Sequence, residues 1–170
     1  MRKPPEMHSI SPKANISPLA DIEDSVRGSV LRIADGVMID SFVKIKFVGG
    51  MGDITIGANS YVNSGTVLYS GNGITIGEAV LIAANCTFAP TNHAFTSRRV
   101  PMLQQRFMPS RGGIIVEDDV WIGANCVLLD GAILRRGCVV AAHSLVIGEL
   151  EAFSINAGSP ARLLKYRPDD

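Results

Sequence analysis

Residues 91–113 contain Thr91, Asn92, His93, Arg98, Arg99, Arg106 and Arg111, and no acidic side chain. Histidine is the side chain best placed to take a proton near neutral pH, because its unperturbed pKa is about 6.5. Guanidinium groups form paired hydrogen bonds to phosphate and carboxylate. Together these residues read as a general base, His93, beside a surface that attracts anions. Each has a plainer reading: His93 as a histidine satisfying loop backbone, and any single arginine as a solvated arm. The other two histidines lie far away in sequence, His8 near the start as a structural residue and His143 as a surface residue. No metal is expected, since a catalytic zinc takes three protein ligands that converge on one point.

The elements that position His93 are repeats of six residues. Aliphatic or aromatic residues open rungs in triplets at Ile10, Ile16, Ile22; Ile33, Ile39, Ile45; Ile56, Val62, Leu68; Ile76, Ile82, Phe88; Val116, Ile122, Leu128; and Leu134, Val140, Val146. Four residues after each start the chain is nearly always small, as at Val26, Val37, Val43, Ser60, Thr66, Cys86, Cys126, Ala132, Cys138 and Ser144. Extended chain alternates its faces with a period of two, so a start and the position four later face the same way, inward. A repeat this short cannot close its own core, but stacked repeats share one. The expectation is an all-β parallel β-helix of about six triangular coils.

Extra residues never fall inside a triplet; they fall between its third rung and the next triplet, so they leave from one corner. The inserts after Ile22, Ile45 and Leu68 are short, and the one after Phe88 is long, over residues 89–115. A loop of that length in a compact solenoid is either functional or disordered. The boundaries expected are an N-terminal extension at 1–9, the β-helix at 10–151 with its excursion at 89–115, and a C-terminal segment at 152–170.

The 170 residues suit one domain, and 16 basic against 16 acidic side chains give a formal charge of zero, which disfavours nucleic acid as a partner. No apolar run reaches the roughly twenty residues of a membrane span, and the first residues lack the apolar core of a secretory signal, so a cytoplasmic protein is expected. Cys86, Cys126 and Cys138 all occupy the small inward slot and read as compact hydrophobes. Trp121 precedes an inward start and must point outward, where its ring needs a cover. Asn72 and Asn92 occupy nominal small slots beside an insert; they either line a polar cleft with His93 or end their rungs by bonding turn backbone.

Ile76-Gly77-Glu78, Thr91-Asn92-His93-Ala94, Val120-Trp121-Ile122-Gly123-Ala124-Asn125 and Ala157-Gly158-Ser159-Pro160-Ala161-Arg162, in this order, resemble the hexapeptide-repeat acyltransferases, in the sugar O-acetyltransferase branch that includes maltose, galactoside and nodulation-factor acetyltransferases. The resemblance covers Ile56 to about Tyr166, and the earlier repeats by period only. It implies a left-handed helix, a homotrimer with sites between subunits, and acetyl-CoA as co-substrate. It also implies His93 as base, with Trp121, Gly123, Ala124, Ala141, Ala142 and Arg162 along the cofactor, and Tyr69, Asn72 and Asn92 on the acceptor side. Ile147-Gly148 departs from the Thr-Lys usual in relatives, and His143 stands where a small residue is usual.

The activity implied is acetyl transfer to a hydroxyl of a sugar or glycan intermediate, as in polysaccharide biosynthesis. The alternatives are N-acetylation of an amino sugar and O-acetylation of an antibiotic. More remote are a β-helix carbonic anhydrase, whose paired-histidine spacing is missing, and a non-catalytic scaffold.

Overall fold

The computed structural model describes residues 8–169. Short strands separated by tight turns wind as triangular coils. The first coil is β1 (Ser9–Ile10), β2 (Asn15–Ile16) and β3 (Asp21–Ile22), and the second β4 (Leu31–Ile33), β5 (Met38–Ile39) and β6 (Lys44–Lys46). The third is β7 (Ile54–Ile56), β8 (Tyr61–Val62) and β9 (Val67–Tyr69), and the fourth β10 (Ile74–Ile76), β11 (Leu81–Ile82) and β12 (Thr87–Ala89). One turn of helix, α1 (Met102–Gln105), lies in the excursion that follows. Then come β13 (Ile114–Val116), β14 (Trp121–Ile122) and β15 (Val127–Leu129), and β16 (Ile133–Leu134), β17 (Val139–Val140) and β18 (Leu145–Val146). A partial seventh coil, β19 (Glu149–Leu150) and β20 (Ser154–Gly158), ends in β21 (Ala161–Tyr166).

Every third strand stacks on its predecessor, which makes three parallel sheets. Their orders are β1-β4-β7-β10-β13-β16-β19, β2-β5-β8-β11-β14-β17-β20-β21 and β3-β6-β9-β12-β15-β18. Among the described strands only β21 runs antiparallel, against β20. The rung starts meet their counterparts across the excursion: Ile76 pairs Val116, Ile82 pairs Ile122, and Phe88 pairs Leu128. The long insert therefore leaves the register of the stack untouched.

Starts and small slots together fill the prism. Ile56, Val62, Leu68, Ile82, Phe88, Ile122, Leu128 and Leu134 are fully buried, and so are Val37, Val43, Ser60, Thr66, Cys86, Cys126, Ala132 and Cys138. Two expectations fail. Ile10 is 40% exposed, and Ile16 and Ile22 are only partly buried, because among the described residues the first coil has a neighbour on one side only. Val26 is 93% exposed rather than inward: the third rung of the coil ends early and its last residues enter the turn at the corner.

The other two corners are tight turns with, from the second coil on, one residue each in the left-handed region, where Gly, Asn and Asp are most at ease. Asn85, Asn125 and His143 form one such column, with φ between 58° and 60°. His143 is thus a turn residue, exposed and stacked beyond Asn125 through its amide, which donates to the Ala124 carbonyl at 2.9 Å.

Candidate active site

Strand β12 ends at Ala89 at the corner from which all inserts leave. The Pro90 carbonyl accepts the Asn72 amide at 3.1 Å, which ties the exit of coil four to the turn of coil three. The chain then doubles back as an irregular hairpin. Met108 N–H donates to the Asn92 carbonyl at 2.8 Å, and Ala94 N–H donates to the Arg106 carbonyl at 2.9 Å. These two bonds flank a bridged pair, His93 opposite Phe107, whose rings lie 4.8 Å apart at 40°.

The hairpin is held at both ends. At its tip the Gln105 amide oxygen accepts from Ser97 N–H at 3.0 Å, and its NH2 donates to the carbonyls of Ser97 at 3.0 Å and Val100 at 2.7 Å. At its base the carboxylate of Asp130, 1% exposed, accepts the amides of Arg111 at 2.7 Å and Gly113 at 2.9 Å. Charge-assisted bonds of this kind are the stronger ones in proteins. His93 therefore sits on a fixed arm although its side chain is exposed.

Beside it opens a cavity of about 340 Å³ walled by Val48, Gly49, Tyr69, Ala89, Pro90, Thr91, His93 and Phe107. Three coils contribute: the turn after β6, the end of β9, and the exit of β12. The lining is apolar apart from the Tyr69 phenol, the Thr91 hydroxyl and the His93 imidazole. No carboxylate and no cation line it among the described residues.

Residues 113–148 match the family described as bacterial transferase hexapeptide (six repeats). A hexapeptide-repeat-containing acetyltransferase of Vibrio cholerae, VCA0836, solved with acetyl coenzyme A, is 31% identical and superposes with a TM-score of 0.69 over 78% of this chain and 69% of that one. The chain belongs to the hexapeptide-repeat transferases. A variant of AntD, an N-acyltransferase of Bacillus cereus solved with dTDP-4-amino-4,6-dideoxyglucose and coenzyme A, superposes with a TM-score of 0.80 at 27% identity, over 95% of this chain and 84% of that one. WbbJ of Escherichia coli K12, named for O-acetyl transfer in lipopolysaccharide biosynthesis, is 30% identical over 135 residues, which is 76% of this chain. The chain spans 65% of the length of that relative.

Within this hexapeptide-repeat fold the residues singled out from sequence fall into four places. His93 and Tyr69 share the cavity. Asn72 and Asn92 stand beside it and contribute backbone groups to the corner, the Asn72 amide and the Asn92 carbonyl. Trp121 lies on the outer face of the second sheet, 54% exposed, over a separate cavity of about 330 Å³ shared with Leu81, Val139, Asp119 and Arg167. Gly123, Ala124, Ala141 and Ala142 follow β14 and β17 at the next corner; at Gly123 a Cβ would stand 2.5 Å from the Ala142 amide, so the turn admits no side chain. Arg162 is on β21, in a third cavity with Glu149 and Glu151, and its guanidinium donates to the Ala161 carbonyl at 3.0 Å. A single chain thus holds His93 and Trp121 in separate cavities.

Phe107 and Asp130 were not marked by sequence reasoning. Phe107 lies in a loop with no period to read. Asp130 stands two residues after a rung start, where coils three and four have Ser70 and Pro90, and nothing in the repeat foretells its two backbone partners. The cysteines are core: all three are fully buried thiols, and burial pushes Cys138 up to about 12. The sulfur of Cys126 and burial both raise Cys86. Among the described residues no group of His, Cys, Asp and Glu converges as a metal site. No helix among them is long and apolar enough to cross a membrane.

Proposed function

We propose that the protein transfers the acetyl group of acetyl-CoA to a hydroxyl of a sugar or glycan intermediate, with His93 as general base. The observation that carries this reading is the fixed placement of His93, packed on Phe107 at the wall of a cavity of about 340 Å³. In the step proposed, an acceptor hydroxyl lying in that cavity attacks the thioester carbonyl while His93 takes its proton. The tetrahedral intermediate then collapses, the C–S bond breaks, and the imidazolium returns the proton to the departing thiolate. No acyl-enzyme is needed, and positioning supplies much of the remainder.

Acetyl-CoA is placed along the strip formed by Trp121, Gly123, Ala124, Ala141 and Ala142, with Arg162 toward its nucleotide. His93 and Trp121 lie in separate cavities of one chain, which supports a site completed by a second copy in a homotrimer, whose loop corner would face the first copy's Trp121. The exposed Leu81 and Trp121 side chains, 52% and 54%, support such a contact. Ile147-Gly148, where Thr-Lys was expected by resemblance, implies that the nucleotide is gripped differently. Tyr69 is assigned to the acceptor, and Asn72 and Asn92 to the shape of its corner. A cavity without carboxylates favours a hydroxyl over an ammonium, although AntD is an N-acyltransferase and the same base serves both. A cytoplasmic location and a role in making an envelope polysaccharide belong to the same proposal, supported by acetyl-CoA as donor and by the likeness to WbbJ.

CoA release from acetyl-CoA across hexoses, amino sugars, nucleotide sugars and antibiotic acceptors tests the assignment, with wild type and His93→Ala run together. His93→Ala is expected to lose about 10²–10⁴-fold in turnover while acetyl-CoA still raises its melting temperature. Turnover within a few-fold of wild type sinks the base assignment. Failure of acetyl-CoA to raise the melting temperature of wild type sinks the class.

A further inference from the structure

Three polar side chains enter the wall of the His93 cavity, those of Tyr69, Thr91 and His93. His93 and Tyr69 have roles above, and Thr91 has none. Along extended chain, residues two apart face the same way. The exit of β12 follows that rule: Thr91 and His93 line the cavity, and Asn92 between them does not. The Thr91 hydroxyl therefore shares a face of the chain with the base, two residues before it.

The place of that hydroxyl is set by what the neighbouring coils lack. A Cβ on Gly71 would stand 2.2 Å from Thr91 Oγ1, and one on Gly49 would stand 3.2 Å from it. Both glycines are in the left-handed region, with φ 42° and 81°, in the turns that follow β9 and β6. Among the described residues the one hydrogen-bond partner of the hydroxyl is the Gly49 carbonyl, at 3.5 Å, which is the outer limit of such a bond. A hydroxyl offers one donor and two acceptor sites, so most of its capacity is unspent at the wall of the cavity. Valine has nearly the same shape and would fill the cradle between the glycines, so packing alone does not call for the oxygen.

We infer that Thr91 is a specificity-determining residue whose hydroxyl binds the acceptor hydroxyl adjacent to the one acetylated. The inference rests on the acetyltransferase reading above and narrows it: the reacting group is a secondary ring hydroxyl with a free hydroxyl on the next carbon, rather than a primary hydroxyl outside the ring. Extended chain rises about 3.3 Å per residue, so the Thr91 and His93 side chains start about 6.6 Å apart. A vicinal pair of hydroxyls, with a hydrogen bond of about 2.8 Å at each end, spans that separation. The ring carbons are left to the apolar wall of Val48, Ala89 and Pro90.

The test uses the full chain saturated with CoA and three small probes: cyclohexane-1,2-diol, cyclohexane-1,3-diol and cyclohexanol. The 1,3-diol has the spacing of a primary hydroxyl and its nearest ring hydroxyl. Each probe is titrated into wild type, Thr91→Val and Thr91→Ser, and the amide resonances of residues 91–94 and 107–108 are followed. Wild type is expected to bind the 1,2-diol about three- to tenfold more tightly than the other two, the worth of one hydrogen bond. Thr91→Val is expected to bind all three alike, at the level of cyclohexanol in wild type, and Thr91→Ser to keep the preference. A Thr91→Val protein that binds all three more weakly in unchanged order assigns Thr91 to structure alone and overturns the inference. Equal binding of the two diols by wild type overturns it as well, as does no binding of the 1,2-diol. A rise in melting temperature on adding acetyl-CoA to the same proteins shows separately whether the acetyltransferase reading survives.

Discussion

Coil four and the excursion that leaves it are adjacent in the chain and opposite in construction. In the coil Ile82, Cys86 and Phe88 are fully buried, and the amides of Leu81, Ala83 and Thr87 donate to carbonyls of coil five. In the excursion Phe95, Met102 and Leu103 are 65%, 62% and 86% exposed, and order comes from a few directed bonds, at Gln105, at the His93–Phe107 pair and at Asp130. Side chains in the first region are fixed by the space around them, and in the second by what they hold. Changes in the coil should therefore be read in stability, and changes in the loop in turnover.

The sharpest way to break that division is Ile122→Ala, which empties a fully buried position facing Ile82. We expect a loss of about 2–5 kcal/mol in denaturant unfolding, with turnover per folded molecule unchanged; a loss below about 1 kcal/mol contradicts a close-packed prism. Asp130 links the stack to the loop, since it is buried at the end of coil five and anchors the loop base. Asp130→Ala strands the amides of Arg111 and Gly113 and is expected to cost about 2–3 kcal/mol, together with exchange protection at Gly113. Retained protection at that amide means that the loop base has another anchor. Phe107→Ala removes a half-exposed ring and is expected to shift the melting temperature by about 1 °C or less. It should lower kcat about tenfold through a misplaced base; an unchanged kcat separates Phe107 from the positioning of His93.

The smallest effect concerns Glu117, whose carboxyl the Arg135 guanidinium holds below its ordinary value of 4.5, helped by the Arg136 amide. Because the folded value is the lower one, its contribution is complete above the ordinary carboxylate range and is lost as pH falls through the folded value. Wild type and Glu117→Gln should therefore differ slightly in melting temperature at pH 6 and converge in strong acid. A gap that widens with acidification reverses the sign.

The repeat was legible because its cause is local: inward positions recur every six residues, and Ile82 opposite Ile122 or Cys86 over Cys126 needs nothing beyond stacking. Burial at the end of the stack was not legible in the same way, since Ile10 has the wording of a core residue and, among the described residues, a coil on one side only. Val26 misled for a related reason: its slot counts as inward only if the rung is complete, and the third rung turns out at the corner. In the site, His93 carried a chemical type and a motif, whereas Phe107 and Asp130 act through partners on other segments of the same chain, which no period encodes. Asn72 and Asn92 were marked as polar at small slots, and their backbone groups are what tie the corner.

The register across the excursion has a consequence for descent. Because Ile76, Ile82 and Phe88 meet Val116, Ile122 and Leu128 as if residues 90–113 were not between them, the loop can lengthen, shorten or be exchanged in a lineage while the prism is inherited unchanged. New acceptors can then be explored by variation at one corner, with each trial carried on a scaffold that already folds.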